Sequence, residues 1–600
     1  MCGIFGILGD KDAAPTTLKA LKRLEYRGYD SAGIAVVNDG VIERRRAVGR
    51  LEELEKLITT PLIGSSAIGH TRWATHGAAT LENAHPHQSG SVAVVHNGII
   101  ENHAQLRDEM RRNGYACLSD TDTEVVAHLA AYYLESGMDE VSAAYMAVSR
   151  LEGAFALAFL FRNEPDLMVV TRRGSPLVIG LGEEEVFVGS DSVALAGLTT
   201  RVIYPEEGDF AVLGRNEITI ADINGKQVTR DVVTISPEAA DTEKGSYEHF
   251  MAKEMAEQPR AIKRVLDHYL SEDESELGQL DFSVVGRILL IGCGTAYHAC
   301  LTARHWIEDL SGIPVDIDVA SEYRYRQPPL GSDTLAIFVS QSGETADTLA
   351  ALRYARGKAG CILSIVNASE STIARESDIA LPLLVGKEIG VASTKAYVAQ
   401  LTILAHIAMR AGEGRNHKST GVAPADLRQL PELMSKVLQC EDQIKDVAIE
   451  LASHDHALFL GRGAMHPLAM EGALKLKEIS YIHAEGYPAG ELKHGPLALV
   501  DASMPIVAFG SFDRLFSKMS SNISEVIARG GKVTLICDRP GIEAAGISGI
   551  TDYIEMPTMD ELLAPIVYAI PAQMLAYHAA VAKGRDVDKP RNLAKSVCVE

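Results

Sequence analysis

Cys2 is the first residue whose side chain could do covalent chemistry. If a processing peptidase removes Met1, the new α-amine, with an unperturbed pKa of about 7.7–8.0, could act as general base for the thiol of the same residue. Gly3 and Gly6 flank an apolar run that predicts a buried strand, which would hold this terminus rigid. An accidental early cysteine is the simpler interpretation of Cys2 alone, so the neighbouring motifs decide between the two.

Three polar motifs downstream could hold the substrate of such a thiol. The Arg72 guanidinium, in the run TRWATHG, could clamp a carboxylate, and Asp122 could pair with an ammonium group. Together they would fix both charged groups of an amino acid. The Asn97 side chain and the Gly98 backbone N–H could form an oxyanion hole. The simpler interpretations are a surface charge for Arg72, a turn for Asn97 and Gly98, and a helix N-cap for Asp122. Each explains one motif, but they do not explain the combination.

Another polar loop, 340–345 (SQSGET), follows a predicted buried strand and precedes a predicted helix. Its hydroxyls and glycine would form an anion cradle with the unpaired N–H groups of the helix start. An ordinary N-cap is an equally good interpretation of the loop alone. The loop lacks the Gly-Lys-Ser/Thr of a P-loop, and Tyr297 stands where a dinucleotide fingerprint beginning at Gly292 requires its third glycine.

Glu471, Lys475 and Glu478 have the i, i+4, i+7 spacing of one helix face. A solvated stripe of ion pairs explains this spacing as well as a catalytic cluster does. A Gly- and Pro-rich loop is predicted over 483–496, and it contains His494. A histidine can move protons near neutral pH, although a lone loop histidine is more often simply exposed.

The elements that must position these groups divide into a front part and a duplicated back part. Short β-like runs and a few helices extend to about residue 235, and the polar segment 236–246 predicts a linker. The remainder alternates strands with helices, which predicts parallel sheets. Three strand-and-turn segments recur in order at a nearly constant spacing, 288–294 with 457–463, 336–340 with 506–510, and 361–367 with 533–538.

This repetition predicts two copies of a doubly wound unit, over about 280–430 and 450–590. Only the first copy has the hydroxyl-rich loop at its second strand, because the second copy has 510–512 (GSF) there. We therefore expect only the first copy to hold an anionic ligand.

Composition excludes several classes of protein. The chain is 46% apolar and 23% charged, as folded globular proteins are. A net charge of −23 makes nucleic acid and anionic membranes poor partners. No apolar run approaches the roughly 20 residues of a membrane span, and no secretory signal is recognisable. Eight cysteines without a Cys-x-x-Cys pair favour a reducing cytoplasm and argue against a zinc site.

The front motifs resemble those of N-terminal-nucleophile (class II) glutamine amidotransferases, through 2–6 (CGIFG), 25–33 (EYRGYDSAG), 71–77 and 96–98 (HNG). The back part is similar to sugar isomerase (SIS) domains, through 340–345, 391–395 (VASTK) and 591–600 (RNLAKSVCVE). Both halves in this order resemble the isomerising glutamine–fructose-6-phosphate aminotransferase family. The resemblance covers essentially the whole chain.

The resemblance implies an α/β and α+β multidomain fold, in which a four-layer N-terminal-nucleophile glutaminase domain precedes two doubly wound parallel-sheet SIS domains. The expected bounds are 1–237 for the glutaminase, 238–247 for the linker, 248–440 and 441–590 for the SIS subdomains, and 591–600 for a tail. It implies a cytoplasmic homodimer that makes glucosamine 6-phosphate and glutamate from fructose 6-phosphate and glutamine, the first step of amino-sugar biosynthesis. No cofactor, metal, nucleic-acid partner or membrane partner is expected.

The resemblance also implies roles for matching residues. Cys2 attacks the glutamine amide, Asn97 and Gly98 stabilise the oxyanion, Trp73 gates the ammonia passage, and glutamine is bound by Arg72, Thr75, His76 and Asp122. Glu478 is the isomerisation base, His494 of a neighbouring subunit opens the sugar ring, and Lys595 forms an imine with the sugar. The sugar phosphate is bound by Thr295, Ser340, Gln341, Ser342, Thr345, Ser393 and Lys475. Ala296 stands where family members commonly have serine, so one hydroxyl contact is missing.

Two alternatives stay open from the sequence. A phosphoribosyl-diphosphate amidotransferase would share the front end, but it needs an acidic diphosphate-and-metal loop where this chain has serine-rich loops. A sugar-phosphate-binding regulator with an inactive glutaminase would not require Cys2, Asn97, Glu478 and Lys595 to be intact.

Overall fold

The computed structural model of the chain describes residues 2–9, 13–215, 217–235, 244–271, 276–415 and 422–597. Most of the linker predicted at 238–247 therefore lies outside the described residues, as does Met1. Two compact units form the chain. The first comprises 1–242 together with 594–600, and the second comprises 243–593.

The first unit contains short helices and many strands. Its helices are α1 (Ala13–Leu24), α2 (Leu51–Leu57), α3 (His103–Arg112), α4 (Glu124–Glu135) and α5 (Glu140–Ser149). Its strands are β1 (Gly3–Leu8), β2 (Ser31–Asn38), β3 (Val41–Val48), β4 (Ser66–Arg72), β5 (His87–Ser89), β6 (Val92–Ile100), β7 (Gly153–Phe161), β8 (Glu164–Arg173), β9 (Val178–Leu181), β10 (Val186–Gly189), β11 (Arg201–Ile203), β12 (Phe210–Leu213), β13 (Ile218–Ala221), β14 (Gln227–Val228) and β15 (Val232–Thr234).

These strands form two sheets, in the orders β15-β11-β9-β10-β1-β4-β2-β3 and β14-β13-β12-β8-β7-β6-β5. Because side chains alternate between the faces of a strand, each sheet has two apolar faces. Ile4 of β1 and Ala156 of β7 pack between the sheets. Phe5 faces α1 and α2, whereas Phe155 faces α3, α4 and α5. The result is the four-layer arrangement, helix–sheet–sheet–helix, that the resemblance implies.

The second unit alternates strands with helices, as predicted. Its helices are α6 (Phe250–Tyr269), α7 (Thr295–Ser311), α8 (Ala320–Arg326), α9 (Ala346–Ala355), α10 (Thr372–Glu376), α11 (Lys395–Gly414), α12 (Leu430–Leu438), α13 (Glu441–Leu451), α14 (Met465–Ser480), α15 (Phe516–Ile527), α16 (Arg539–Ala545), α17 (Ala564–Val567) and α18 (Ala569–Ala582). Its strands are β16 (Arg287–Gly292), β17 (Val315–Val319), β18 (Thr334–Ser340), β19 (Cys361–Val366), β20 (Ile379–Pro382), β21 (His456–Gly461), β22 (His483–Pro488), β23 (Pro505–Gly510), β24 (Lys532–Asp538) and β25 (Asp552–Met556).

Two parallel sheets of the same topology confirm the predicted duplication. Their strand orders are β17-β16-β18-β19-β20 and β22-β21-β23-β24-β25. The three segment pairs recognised in the sequence correspond to β16 with β21, β18 with β23, and β19 with β24. One apolar core joins the copies, since it includes Leu290 of β16, Phe459 of β21 and the helices α7, α11, α14 and α18.

The prediction of a loop over 483–496 is wrong for the first half of that segment. Residues His483–Pro488 form β22, an edge strand parallel to β21, and 3-10 turns follow over Ala489–His494 and Pro496–Leu499. An edge strand tolerates a terminal proline, and Gly486 lets β22 approach α14, because a Cβ there would lie 2.5 Å from the Met470 Cα. Among the described residues, no helix is long and apolar enough to cross a membrane.

Candidate active sites

The Cys2 thiol lies at the end of two neighbouring strands of the first unit. Cys2 directly precedes β1, and β1 pairs antiparallel with β4, so that Gly3 is opposite Thr71. The sulfur accepts a hydrogen bond from the Trp73 backbone N–H at 3.2 Å and lies 3.4 Å from the Trp73 carbonyl oxygen. Burial raises the pKa of the Cys2 thiol, although the Trp73 N–H and the Arg72 guanidinium act in the opposite direction.

Asn97 reaches Cys2 from the other sheet. It lies on β6, and its Nδ2 donates to the Cys2 carbonyl oxygen at 3.0 Å. The Asn97 Oδ1 lies 3.1 Å from His70 Nε2, which also lies 2.9 Å from the His96 carbonyl oxygen. The His70 contact fixes the amide so that its nitrogen faces Cys2. The sequence analysis missed His70, although it directly precedes the TRWATHG run.

Gly98 is a position where only glycine fits. Its φ is +130°, and a Cβ would lie 2.0 Å from the Ala154 carbonyl oxygen of the paired strand β7. The absence of a side chain therefore allows β6 and β7 to stay paired beside Asn97.

The Arg72 guanidinium makes three hydrogen bonds to the loop that follows β4. It is 2% exposed, and it donates to the carbonyl oxygens of His76 at 2.5 Å, Gly77 at 2.9 Å and Ala78 at 3.1 Å. Arg72 therefore shapes the loop after β4. In that loop Thr75 is exposed and His76 half-buried.

The EYRGYDSAG motif supports the same loop. The Asp30 carboxylate accepts from the Ala74 backbone N–H at 2.9 Å, and the Asp30 N–H donates to the Arg72 carbonyl oxygen at 2.9 Å. The Tyr29 and Trp73 rings meet edge to face, with centroids 5.6 Å apart. These contacts fix the Trp73 ring and the backbone on both sides of it.

Asp122 is buried beside the end of β6. Its Oδ2 accepts from the Ile100 backbone N–H at 2.8 Å, which lies outside α4. The helix N-cap of α4 is Thr123, so the simpler interpretation of Asp122 as that cap is wrong. The structure brings Asn97, Gly98 and Asp122 together around one strand.

A cluster of buried histidines connects these residues. Thr123 Oγ1 lies 2.8 Å from His85 Nε2 and 2.8 Å from His96 Nδ1, and the His70 and His85 rings stack at 4.3 Å. Burial lowers the pKa of all these imidazoles, to about 3 for His70 and also for His87. They are therefore neutral hydrogen-bonding groups that hold β6 against the 121–123 segment.

In the second unit, Lys475 is the centre of a buried ionic cluster. Its Nζ donates to Glu478 Oε2 at 2.6 Å and to Thr295 Oγ1 at 3.0 Å, and lies 3.4 Å from Glu471 Oε1. Lys475 is 1% exposed by its side chain and Glu471 2%. The solvated-stripe interpretation is therefore wrong for these two residues. Thr295 begins α7 of the first copy, whereas the other three lie on α14 of the second.

The charges of this cluster are mutually dependent. Burial alone would lower the pKa of Lys475, but Glu471 and Glu478 raise it above its ordinary value. Burial would raise the pKa of Glu471, yet Lys475 and His298 hold it below its usual range. His298 Nδ1 lies 2.8 Å from Glu471 Oε2. The sequence analysis missed His298, although its position one turn after Thr295 on the same helix is a signal.

The hydroxyl-rich loop lies between β18 and α9. Ser340 Oγ accepts from the Gly343 N–H at 3.1 Å and lies 3.0 Å from Thr345 Oγ1. Ser342 Oγ accepts from the Glu344 N–H at 3.2 Å and lies 3.5 Å from Thr345 Oγ1. Three hydroxyls thus converge at the start of α9, where the Thr345 side chain makes no capping hydrogen bond. Gln341 is half-buried in the same loop.

The equivalent loop of the second copy is unsuited to an anion. Ser511 Oγ donates to the Asp513 carboxylate at 3.3 Å. A carboxylate at this place repels phosphate, so the structure supports the predicted asymmetry between the copies.

Ser393 is held by a glutamate that the sequence analysis missed. Its Oγ donates to Glu388 Oε2 at 3.2 Å. Glu388 is buried, and its Oε1 also accepts from the backbone N–H groups of Thr394 at 2.9 Å and Ala396 at 3.0 Å. Glu388 thereby fixes the loop that precedes α11.

His494 and Lys595 are the remaining residues to which the resemblance assigns catalytic roles. His494 is exposed at the end of the 3-10 turn Ala489–His494. Lys595 is half-buried in the segment that belongs to the first unit. The tail starts at Arg591, whose backbone N–H donates to Tyr481 Oη at 2.8 Å and whose guanidinium lies 4.2 Å from the Tyr481 ring centroid.

Two protein families match the chain over the parts that carry these sites. The family described as Glutamine amidotransferase domain matches residues 70–197. The family described as SIS domain matches 281–410 and 450–583, which include the two copies of the parallel sheet.

Relatives that match this chain over its full length show the family to which it belongs. The chain is 52% identical over 608 residues to the glutamine–fructose-6-phosphate aminotransferase (isomerizing) of Mesorhizobium japonicum, and 51% identical over 608 residues to that of Brucella abortus. Both alignments cover 100% of this chain and of the relative. The chain belongs to the isomerising glutamine–fructose-6-phosphate aminotransferase family. It is an enzyme, an aminotransferase, and the inactive regulator is not favoured.

Solved structures support this membership for the second unit. The C-terminal domain of glucosamine-fructose-6-phosphate aminotransferase from Francisella tularensis is 40% identical with a TM-score of 0.56, and the match covers 58% of this chain and 100% of that chain. The tagatose-6-phosphate ketose/aldose isomerase from Escherichia coli matches 58% of this chain and 96% of its own, with 20% identity and a TM-score of 0.50. That second match shows a shared fold alone.

Proposed function

We propose that the chain transfers the amide nitrogen of glutamine to fructose 6-phosphate and isomerises the product, which gives glucosamine 6-phosphate and glutamate. The observation that carries this proposal is the full-length identity with relatives of that name, in a chain whose two units each hold a suitable cluster. Cys2 with Asn97 suits amide cleavage, and Lys475 with Glu478 suits sugar chemistry.

In the first unit, Cys2 Sγ attacks the side-chain carbonyl carbon of glutamine, and its proton passes to the departing ammonia. One N–H of Asn97 Nδ2 donates to the Cys2 carbonyl oxygen, and the second N–H serves the oxyanion together with the Gly98 N–H. Water then hydrolyses the thioester to glutamate. Removal of Met1 supplies the α-amine as general base.

Residues around β4 and β6 bind the glutamine. Asp122 pairs with the α-ammonium group, while Arg72 acts on the α-carboxylate directly or through the loop that it shapes. Thr75 and His76 stand in that loop, and Trp73 gates the passage of ammonia. The support is positional, since Arg72 and Asp122 are buried close to Cys2 and act on its pKa.

In the second unit, the hydroxyls of Ser340, Ser342 and Thr345 bind the phosphate, and Gln341, Thr295 and Ser393 complete the sugar site. His494, contributed by a second subunit of a homodimer, opens the ring. Lys595 condenses with the C2 carbonyl, which releases water, and ammonia then displaces the lysine. Glu478 takes a proton from C1 and returns it to C2, while the C1 hydroxyl proton passes to the imine nitrogen, so the keto-imine becomes an aldehyde with an amine at C2.

Lys475 acts in this step as a fixed positive charge. Since its neighbours raise its pKa, it stays protonated, stabilises negative charge that develops between C1 and C2, and orients Glu478. Its protonation also makes Lys475 a poor imine former, which leaves that role to Lys595. We place the enzyme in the cytoplasm, as the free cysteines among the described residues suit.

Incubation with glutamine labelled with ¹⁵N at the amide tests the proposal. We expect ¹⁵N-labelled glucosamine 6-phosphate in a reaction with fructose 6-phosphate, even when unlabelled ammonium is in excess. Absence of glucosamine 6-phosphate would contradict the proposed reaction. Unlabelled product would keep the sugar chemistry but contradict the transfer from Cys2.

A further inference from the structure

Three side chains that could bind a metal ion lie together beside the first turn of α4, and none of them belongs to the two candidate active sites. They are Cys117, Glu124 and His128, and one potential ligand atom from each lies within 4.8 Å of the other two. Glu124 Oε1 and His128 Nε2 are 3.7 Å apart. In a tetrahedral zinc site with bonds of about 2.0–2.3 Å, ligand atoms lie about 3.3–3.8 Å from each other. The cluster thus needs only a small contraction to match that geometry.

The Glu124 carboxylate is buried and fixed by backbone groups. Its Oε2 accepts from the Ser119 N–H at 2.7 Å and from the Ser119 hydroxyl at 2.8 Å. Its Oε1 accepts from the Leu118 N–H at 3.1 Å, which leaves a second lone pair on that oxygen. These bonds attach the 117–119 segment to α4, and they bring the Cys117 side chain to His128.

The Nε2 atom of His128 faces the Glu124 carboxylate and the Cys117 thiol. The residue is 6% exposed, and its Nδ1 lies 2.9 Å from Ser89 Oγ, which orients the ring. Its Nε2 is buried and lies 3.7 Å from Glu124 Oε1, which is longer than a hydrogen bond. Buried ring nitrogens are usually hydrogen-bonded, and a metal-bound histidine typically uses its other nitrogen for an orienting contact like that with Ser89. This arrangement points to a ligand at Nε2.

The chemistry of the three groups selects the kind of ligand. A thiolate and a carboxylate together carry two negative charges, which a divalent cation neutralises, and sulfur with imidazole favours zinc over magnesium or calcium. Cys117 is half-exposed, and Leu118 is 79% exposed, so the segment is accessible from solvent.

We propose that Cys117, Glu124 and His128 form a binding site for a thiophilic divalent cation such as zinc, with water as the fourth ligand. On binding, metal–sulfur and metal–nitrogen bonds form, while the thiol proton and the proton of the imidazole Nε2 leave to solvent. No metal site was expected from the sequence, because the chain contains no Cys-x-x-Cys pair. Here the ligands come from a loop and from two successive turns of α4.

Titration with Co²⁺ tests the proposal directly, since a thiolate–cobalt bond gives a charge-transfer absorption band. The full chain carrying Cys2→Ala is used, so that the reactive thiol does not compete. We expect the band to saturate at one equivalent and to be absent from the Cys117→Ser variant. Ser89→Ala should weaken Co²⁺ binding by about 10–100-fold. Cys440→Ser, which removes a half-exposed cysteine of the second unit, is the matched control and should change nothing.

A second measurement avoids substitution at the site. In the same Cys2→Ala chain, zinc should protect Cys117 from iodoacetamide, as measured by mass spectrometry of its peptide, and a chelator should restore alkylation. Cys440 should be alkylated equally with and without zinc. A charge-transfer band that persists in Cys117→Ser, no band in the parent, or unprotected Cys117 in zinc would each overturn the proposal.

Discussion

The Lys475 ammonium donates to the Thr295 hydroxyl at 3.0 Å, and this bond joins the two copies of the duplicated unit. Thr295 starts α7 in the first copy, and Lys475 lies on α14 in the second. The hydroxyl-rich loop, at Ser340 to Thr345, belongs to the first copy alone. The two copies therefore share one sheet topology but differ in this loop.

Lys475→Met should destabilise the second unit and abolish sugar isomerisation. The substitution leaves the buried Glu471 carboxylate without its cation, which costs about 3–5 kcal/mol in the free energy of unfolding. Lys477→Met, at an exposed position of the same helix, is the control and should change stability by less than about 0.5 kcal/mol. Denaturant unfolding monitors stability, and conversion of fructose 6-phosphate to glucose 6-phosphate monitors isomerisation. Equal effects of the two substitutions would contradict the buried-cluster interpretation.

Cys2→Ala should abolish glutamine hydrolysis and glutamine-dependent synthesis, because the nucleophile is removed. Sugar isomerisation should persist, since Lys475 and Glu478 belong to the second unit. Cys440→Ser is the control for the loss of a thiol elsewhere. Glutamate release measured by a coupled assay checks the result. Full glutaminase activity in Cys2→Ala would show that another group performs the attack.

Ser342→Ala should weaken fructose 6-phosphate binding by about 1.5–3 kcal/mol, the contribution of a hydrogen bond to a charged group. Ser511→Ala, at the equivalent loop of the second copy, should have little effect, because Asp513 makes that loop repel anions. Calorimetric titration of both variants with the sugar phosphate provides the comparison. Similar losses at the two positions would mean that the phosphate is bound elsewhere.

The stability of the first unit should decrease below about pH 6.5. Burial lowers the pKa of His70 and His87 to about 3, whereas an unfolded histidine titrates at about 6.5. Between these values the unfolded chain binds more protons than the folded one, so the free energy of unfolding rises with pH. The stabilisation is present above pH 6.5 and is lost as the pH falls toward 3. Each histidine contributes about 1.4 kcal/mol per pH unit in this window.

Paired variants isolate this effect from the titration of carboxylates. Between pH 7 and pH 5, His87→Gln should lose about 2 kcal/mol less stability than the parent protein does. His456→Gln, at an exposed position of the second unit, should follow the parent. Urea unfolding at the two pH values measures the difference. An unchanged pH dependence in His87→Gln would mean that this imidazole is protonated in the folded state.

Local patterns were sufficient to predict the recurring strands β16, β18, β19, β21, β23 and β24, the duplication and the charged face of α14. Each depends on spacing within one element, which the sequence shows directly. His70, His298 and Glu388 could not be predicted in this way. His298 meets Glu471 from a helix of the other copy, and His70 meets Asn97 from another sheet, so only the fold reveals the pairs. The Cys117 cluster was missed for the same reason, because its ligands follow no fixed motif spacing.

The first residue of the C-terminal tail contacts the end of α14. The tail begins at Arg591, which contacts Tyr481 through its backbone N–H and its guanidinium. Tyr481 directly follows α14, the helix that carries Lys475 and Glu478, so the first residue of the tail is attached next to the proposed sugar site. Lys595 follows closely in the chain. An amine condenses with a carbonyl only as the neutral base, and Lys475 is held in its charged form, which leaves Lys595 as the better candidate.

Lys595→Arg should therefore abolish isomerisation and synthesis, because a guanidinium keeps the positive charge but forms no imine. Glutamine hydrolysis should persist at a basal level, since Cys2 and Asn97 are unchanged. Borohydride reduction in the presence of fructose 6-phosphate should trap a covalent adduct on the parent protein and on the control Lys477→Arg, but not on Lys595→Arg. Mass spectrometry locates the adduct. An adduct of undiminished yield on Lys595→Arg would contradict the assignment, and its position would identify the lysine that forms the imine.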